Sequence, residues 1–193
     1  MKNITTYLIL IWTLLATWAC KPVKDGYGLD DLGQYSSVYI AAAFGGMQNI
    51  TANTAEPLNI EIYANYSGVI ALSEDLYVFM EADPDRVDEY NTENGTSFPA
   101  LPTSHFTVEK NHSIISPGNT TAKAPALIGL NTGAFADGDT YLLPVSIVSV
   151  NKPSITINKS NRTVYLGIKC LAGSFTITTD PLSDYVVSDT EEW

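Results

Sequence analysis

The sequence predicts an all-β fold, a two-layer antiparallel sandwich with one short crossover helix at about residues 84–94. Three observations carry that expectation. Apolar and polar residues alternate with a period of two in several short runs, as half-buried strands require. Turn-forming residues separate the runs: Asn65-Tyr66-Ser67-Gly68, Pro117-Gly118 and Asp137-Gly138-Asp139. A single stretch, "ADPDRVDEYNTENGTSFPALP", carries both the start and the stop signals of a helix.

The strands are read in order along the chain. "SSVYIAAA" comes first, then "LNIEIYA", in which Leu58, Ile60, Ile62 and Ala64 face one way and Asn59, Glu61 and Tyr63 the other. "DLYVFMEA", "HFTVEK", "SIIS" and "AKAPALIGL" continue the pattern. In "YLLPVSIVSV", Tyr141, Leu143, Val145 and Ile147 share a face, and Pro144, which cannot donate to a ladder, suggests an edge strand or a bulge. "SITIN" and "TVYLGIKC" come next, the latter with Val164, Leu166, Ile168 and Cys170 on one side. "SFTITT" reads as a last strand. About seven to nine short strands at this spacing point to a sandwich.

The helix has a reason for each end. Asp83 is a good N-cap and Pro84 suits the first helical position, where its missing N–H costs nothing. Asp85 lies in the first turn, where a carboxylate meets the positive end of the dipole. Gly95 can take the left-handed conformation that closes the helix. Three turns are marginal alone, so Val87 and Tyr90, three apart on one stripe, are expected to dock on the sandwich. The expected task of the helix is to carry the chain from one sheet to the other. The acidic residues Asp83, Asp85, Asp88 and Glu89 do not fit a calcium loop, which lacks here its central glycine and closing glutamate; no metal or other cofactor is expected.

Charge and composition narrow the function. A formal net charge of -11 repels phosphate backbones and anionic headgroups, so no nucleic-acid partner is expected. His105 and His112 flank one strand without metal spacing, and neither a nucleophile elbow nor a phosphate loop occurs. No catalytic residues are assigned. Cys170 falls on an inward strand face and reads as a buried, inert thiol.

The N-terminus reads as an address. Lys2 is followed by the apolar "YLILIWTLLATWA", too short for a comfortable membrane span, and Ala19 precedes Cys20. The arrangement resembles a bacterial lipobox, which implies a signal peptide at 1–19 and lipidation of Cys20. An ordinary signal peptide cut near Ala19, or an uncleaved anchor, is the alternative. Residues 20–35 then form the lipidated cysteine and a Gly-, Asp- and Ser-rich tether, 36–171 the sandwich, and 172–193 an additional strand and an acidic tail.

Three passages carry a family resemblance. "VFMEADPDRVDEYNTENGTSFPALP" is close to a "VDxYNxxNGTxYxxLP" passage, "TYLLPVSIVSVN" to a "YxLPVxI" strand, and "INKSNRTVYLGI" to a closing "S…xTxYLxI" strand. In these the chain resembles the Bacteroidetes lipoprotein module called domain of unknown function 1735, over about residues 20–171. The resemblance implies an immunoglobulin-like sandwich at the N-terminus of a cell-envelope lipoprotein, often in a glycan-utilisation system. A second, lectin-like or glycosidase domain commonly comes after such modules.

Glycan binding needs exposed aromatic faces beside amides and carboxylates. Tyr63 and Tyr165 fall on outward strand faces and Tyr66 in a turn, so these three are the candidate ligand-binding residues. The expectation is a lipid-anchored, non-enzymatic outer-membrane protein that binds or scaffolds in glycan capture, with the cell surface and the periplasmic face both open. The alternatives are a structural or adhesive subunit working through other envelope proteins, and a glycoside hydrolase with an unrecognised carboxylate pair.

Overall fold

The computed structural model describes residues 35–53, 57–69 and 71–171. The expected signal peptide, Cys20, the tether up to residue 34 and the tail 172–193 lie outside the described residues. Within them the chain is an all-β sandwich with one short α-helix. Its elements are β1 (Ser37–Ile40), β2 (Gln48–Asn53), β3 (Leu58–Ile62), β4 (Ala64–Ser67), β5 (Leu76–Ala82) and α1 (Arg86–Asn94). They continue with β6 (Phe106–Lys110), β7 (His112–Ile115), β8 (Ala126–Leu130), β9 (Thr140–Val150), β10 (Thr156–Ile157) and β11 (Thr163–Leu171).

One layer is a five-stranded sheet ordered β2-β11-β9-β5-β7. The other is made of β3-β8-β6, extended by β10-β1-β4 through the continuation of β3 into β4. Between the layers Val38, Ile40, Val78, Met80, Ile115, Ile128, Leu143, Val145, Ile147 and Ile168 pack into one core. The alternation read from the sequence is the alternation observed: Ile60, Ile62 and Ala64 are buried, whereas Asn59, Glu61 and Tyr63 are exposed.

Several local expectations are corrected. The strand expected over "SSVYIAAA" stops at Ile40, and Ala41–Gly45 forms a 3-10 helix that carries the chain from one layer to the other. This switch makes β2 run parallel to β11, so the sandwich is not purely antiparallel; β1 and β10 are also parallel. "QNITAN", with only Ile50 and Ala52 as apolar inward residues, is a strand the periodicity did not flag. Asn65-Tyr66-Ser67 is strand β4 rather than a turn, paired with β1.

Pro144 is another. It lies in the central strand β9, not at an edge. Its carbonyl accepts the Asp83 N–H at 2.9 Å, so its nitrogen faces the same side, where β5 has already ended. The missing donor therefore removes no ladder bond. A register shift does occur in the β5–β9 pair, between Phe79 and Met80, and leaves Val148 exposed.

The helix does what its position suggests. β5 belongs to the five-stranded sheet and β6 to the opposite layer, and α1 stands between them, packed on β9. It starts at Arg86, later than expected. Asp83 and Pro84 form a preceding turn in which their carbonyls accept the N–H groups of Arg86 and Val87 at 3.1 Å. After the helix, residues 99–101 fill the slot beside β9 that β5 vacated: Leu142 N–H donates to the Pro99 carbonyl and Leu101 N–H to that of Leu142. Leu142 is consequently buried although it faces outward.

Candidate functional site

Polar and aromatic clusters surround this frame. The first is a hub at the start of α1. The Asp83 carboxylate accepts from Arg86 Nε at 2.9 Å and from Ser146 Oγ at 2.8 Å, and Ser146 Oγ lies 2.7 Å from Thr163 Oγ1. Asp83 therefore ties the helix to β9 and β11; the N-cap position is Asp85 rather than the expected Asp83, and Asp85 makes no side-chain cap bond. Tyr165, opposite Pro144 in the register, stacks on Tyr90 of the helix with centroids 4.6 Å apart. Tyr90 also meets Phe98 at 6.4 Å. Burial lowers the Arg86 pKa, but the Tyr165 hydroxyl and the carboxylates of Glu89 and Asp83 more than offset it and raise the net value. Outward parity was right for Tyr165, but one face of its ring is used to dock the helix.

The exit of the helix is held by one side chain. Gly95 takes φ 66°, and its N–H and that of Thr96 bond back to the Asn91 carbonyl. The Asn91 amide donates to the Phe98 carbonyl at 2.8 Å and accepts from Phe98 N–H at 2.9 Å and Thr96 Oγ1 at 2.8 Å. The "YNTENGTSF" passage is thus a structural staple.

Tyr66 offers no ligand face. Its ring points inward and is 5% exposed, and its hydroxyl donates to Ser36 Oγ at 3.1 Å. The expectation that it sits in a turn and stacks on a ligand is corrected: a β4 side chain of that parity belongs to the core.

Tyr63 is different. It lies at the junction of β3 and β4, is 40% exposed, and donates its hydroxyl to Glu61 Oε2 at 2.6 Å. That bond and the adjacent carboxylate raise its pKa above the ordinary value, since ionisation would lose the first and meet the second. The residue stands at the rim of an open groove of about 470 Å³ between the edge strands of the two layers, β2 and β3. The floor is apolar, made by Ile50, Ile60, Ile62, Val164 and Leu166. The rim carries Gln48, Glu61, Asn65 and Thr121, with Asn65 Nδ2 donating to Thr121 Oγ1 at 2.9 Å. One carboxylate, two amides, a hydroxyl and a half-exposed ring around an apolar floor can hydrogen-bond hydroxyl groups and stack on a C–H face.

The three tyrosines do not converge. Val164 and Leu166 line the groove, so Tyr165 between them points to the opposite face of the sheet. A further aromatic cluster lies on the outer side of β5 and β7, where His112 meets Tyr77 at 5.5 Å and Phe79 at 5.8 Å. The parity of "LYVFMEA" could have shown Tyr77 and Phe79 on that side.

The chain is a two-layer sandwich whose crossover helix is stapled by an Asn-Gly-Thr passage, and the comparisons give its family. A family model described as a "-like, N-terminal domain" matches residues 34–154. The chain belongs to that family. A search of curated proteins finds no match. A candidate carbohydrate-binding protein from Bacteroides ovatus shares the fold at TM-score 0.53 and 21% identity, over 70% of this chain and 37% of that one. A multidomain protein of Bacteroides ovatus that includes DUF1735 matches at 0.51 and 17%, over 72% and 46%. EndoBT-3987 of Bacteroides thetaiotamicron, solved with its Man5GlcNAc product, matches at 0.51 and 15%, over 63% and 28%. The chain spans less than half the length of each of these three.

Proposed function

We propose that this protein is a lipid-anchored, non-catalytic module of the bacterial outer membrane that takes part in glycan capture, with Cys20 as the lipidated residue and the Tyr63 groove as the glycan contact. The observation that carries the reading is the composition of that rim: a 40%-exposed tyrosine ring hydrogen-bonded to a carboxylate, beside amides, over an apolar floor. Family membership and the carbohydrate-binding neighbour support the same reading. Of the alternatives, a scaffold acting through protein contacts draws support from β3, which ends its sheet with an open edge among the described residues.

The test is affinity electrophoresis of the purified full chain in mild detergent against a panel of host and plant polysaccharides. Retardation by one glycan class, reduced in Tyr63→Ala and in Glu61→Gln but not in Tyr165→Ala, is the expected result. Equal mobility in every gel would reject the glycan reading and leave the scaffold.

A further inference from the structure

Phe44 keeps 65% of its surface exposed, more than the Tyr63 ring does. It stands on the 3-10 helix Ala41–Gly45, whose first two residues, Ala41 and Ala42, line the Tyr63 groove. Its ring meets Tyr39 of β1 edge-on, with centroids 5.5 Å apart and planes at 77°. Holding this turn does not require the ring. Gln48 Nε2 donates to the Ala42 carbonyl at 3.0 Å and to that of Gly46 at 3.3 Å, and Gly46 takes φ 76°, so an amide and a glycine fix the reversal. A side chain this exposed buries little apolar area and contributes little to folding.

The register brings this pair of rings to the Tyr63 rim. Tyr39 lies directly opposite Asn65 in the antiparallel β1–β4 pair, so both side chains leave the same face of the layer. Burial alternates without a break from Ile62 to Tyr66, which puts Tyr63 on that face as well. Tyr39 and Tyr63 are therefore diagonal neighbours, roughly 7–8 Å apart, with Asn65 beside both. Charge limits what such a surface can hold. Among the described residues that line the groove none is cationic, and Glu61 is anionic. Lys123, two residues beyond Thr121, is exposed and does not line it. The whole chain carries a formal net charge of -11. A uronate or sulfated chain would meet repulsion here, with no basic side chain lining the groove to pair its acid groups, whereas uncharged hydroxyls are indifferent to it.

We propose that the binding surface runs from Tyr63 over Asn65 onto the Tyr39–Phe44 pair, and that its ligand is an uncharged glycan chain with one sugar against Tyr63 and another against Phe44. The inference rests on the glycan reading of the Tyr63 groove and adds to it the ligand's charge and its need for more than one sugar. The C–H faces of two sugars cover the two exposed rings, and the Asn65 amide between them meets hydroxyl groups. Two contacts on one chain reinforce each other. Once the first is made, the second forms at a high effective concentration, so affinity rises with chain length until both rings are covered. A ligand of one sugar reaches Tyr63 or Phe44, not both.

The experiment uses the full chain in mild detergent. Affinity gels carry a neutral polymer (mixed-linkage β-glucan, galactomannan or arabinoxylan) or an acidic one (polygalacturonate or heparin). Oligosaccharides of increasing length from the retarding polymer are then titrated calorimetrically into the unaltered chain, Tyr63→Ala, Phe44→Ala and Phe44→Tyr. The expected result is retardation in neutral gels only, with a hexasaccharide bound at least about tenfold more tightly than a disaccharide. Phe44→Ala should remove that gain with Tm unchanged and keep the disaccharide affinity within about twofold, and Phe44→Tyr, which keeps a ring, should retain the gain. A Phe44→Ala chain with the full length dependence, beside a Tyr63→Ala chain that has lost binding, would overturn this inference and leave the Tyr63 reading standing. Retardation by the acidic polymers alone would overturn it too. No retardation in any gel would remove the Tyr63 reading and this inference together.

Discussion

Replacing Asn91 by alanine removes the staple at the helix exit. Three hydrogen bonds disappear together, those to the Phe98 carbonyl, the Phe98 N–H and the Thr96 hydroxyl. Each contributes a net ~0.5–1.5 kcal/mol, so the loss is about 2–4 kcal/mol. The Gly95 and Thr96 N–H groups still bond to the Asn91 backbone carbonyl, so the helix end itself survives. What loosens is the passage from Phe98 to Leu101, which fills the slot beside β9. In a domain of this size each kcal/mol moves Tm by roughly 2–4 °C, so the variant should melt about 4–16 °C lower. Urea unfolding followed by far-UV circular dichroism measures it, with an unchanged m-value. Asn94→Ala is the control: its amide makes one exposed bond to the Tyr90 carbonyl, and its loss should stay within about 0.5 kcal/mol. An Asn91→Ala variant as stable as Asn94→Ala would refute the staple.

The geometry carries two further outcomes. A Cβ at Gly68 would overlap the Tyr66 hydroxyl and Ser36 Oγ, so Gly68→Ala should cost about 1–3 kcal/mol in urea, and Tyr66→Phe in the same chain should recover part of it. Cys170 is fully buried, and burial together with Asp139 and Asp137 pushes its thiol pKa up, so it should resist a thiol-disulfide reagent at pH 8 in the native state and react at once in denaturant; rapid native reaction would contradict the packing.

The strands legible in the sequence were those whose inward residues are large. "LNIEIYA" and "TVYLGIKC" place large apolar residues at alternate positions, and Ile60, Ile62, Val164, Leu166, Ile168 and Cys170 are buried as the pattern requires, although Thr163 and Gly167 on the other face of β11 are covered as well. β2 was illegible because its inward side offers only Gln48, Ile50 and Ala52, and its pairing with β11 is long-range. The expected strand "SSVYIAAA" ends at Ile40 because alanine has little tendency to stay extended, and the chain leaves the sheet there. "NYSG" carries turn residues, yet the bond from Tyr66 to Ser36 across thirty positions holds it in the sheet.

The candidate site divides along the same line. The exposure of Tyr63 follows from parity alone, because outward exposure is a local property of a strand. The groove beside it was not, because its walls come from strands in opposite layers. Tyr165 had the right parity and the wrong consequence, since α1 lies over that face and Tyr90 takes one side of the ring. Helix docking is a tertiary event that strand alternation does not encode.

The central claim is that the Tyr63 groove holds a glycan without cleaving it. Isothermal titration of the full chain with an oligosaccharide from the retarding class, followed by mass spectrometry of the recovered sugar, tests it most directly. The account predicts saturable binding, weakened at least about tenfold in Tyr63→Ala, which is about 1.4 kcal/mol, with the sugar recovered intact. Binding that is indifferent to Tyr63, or a sugar recovered in pieces, would contradict it.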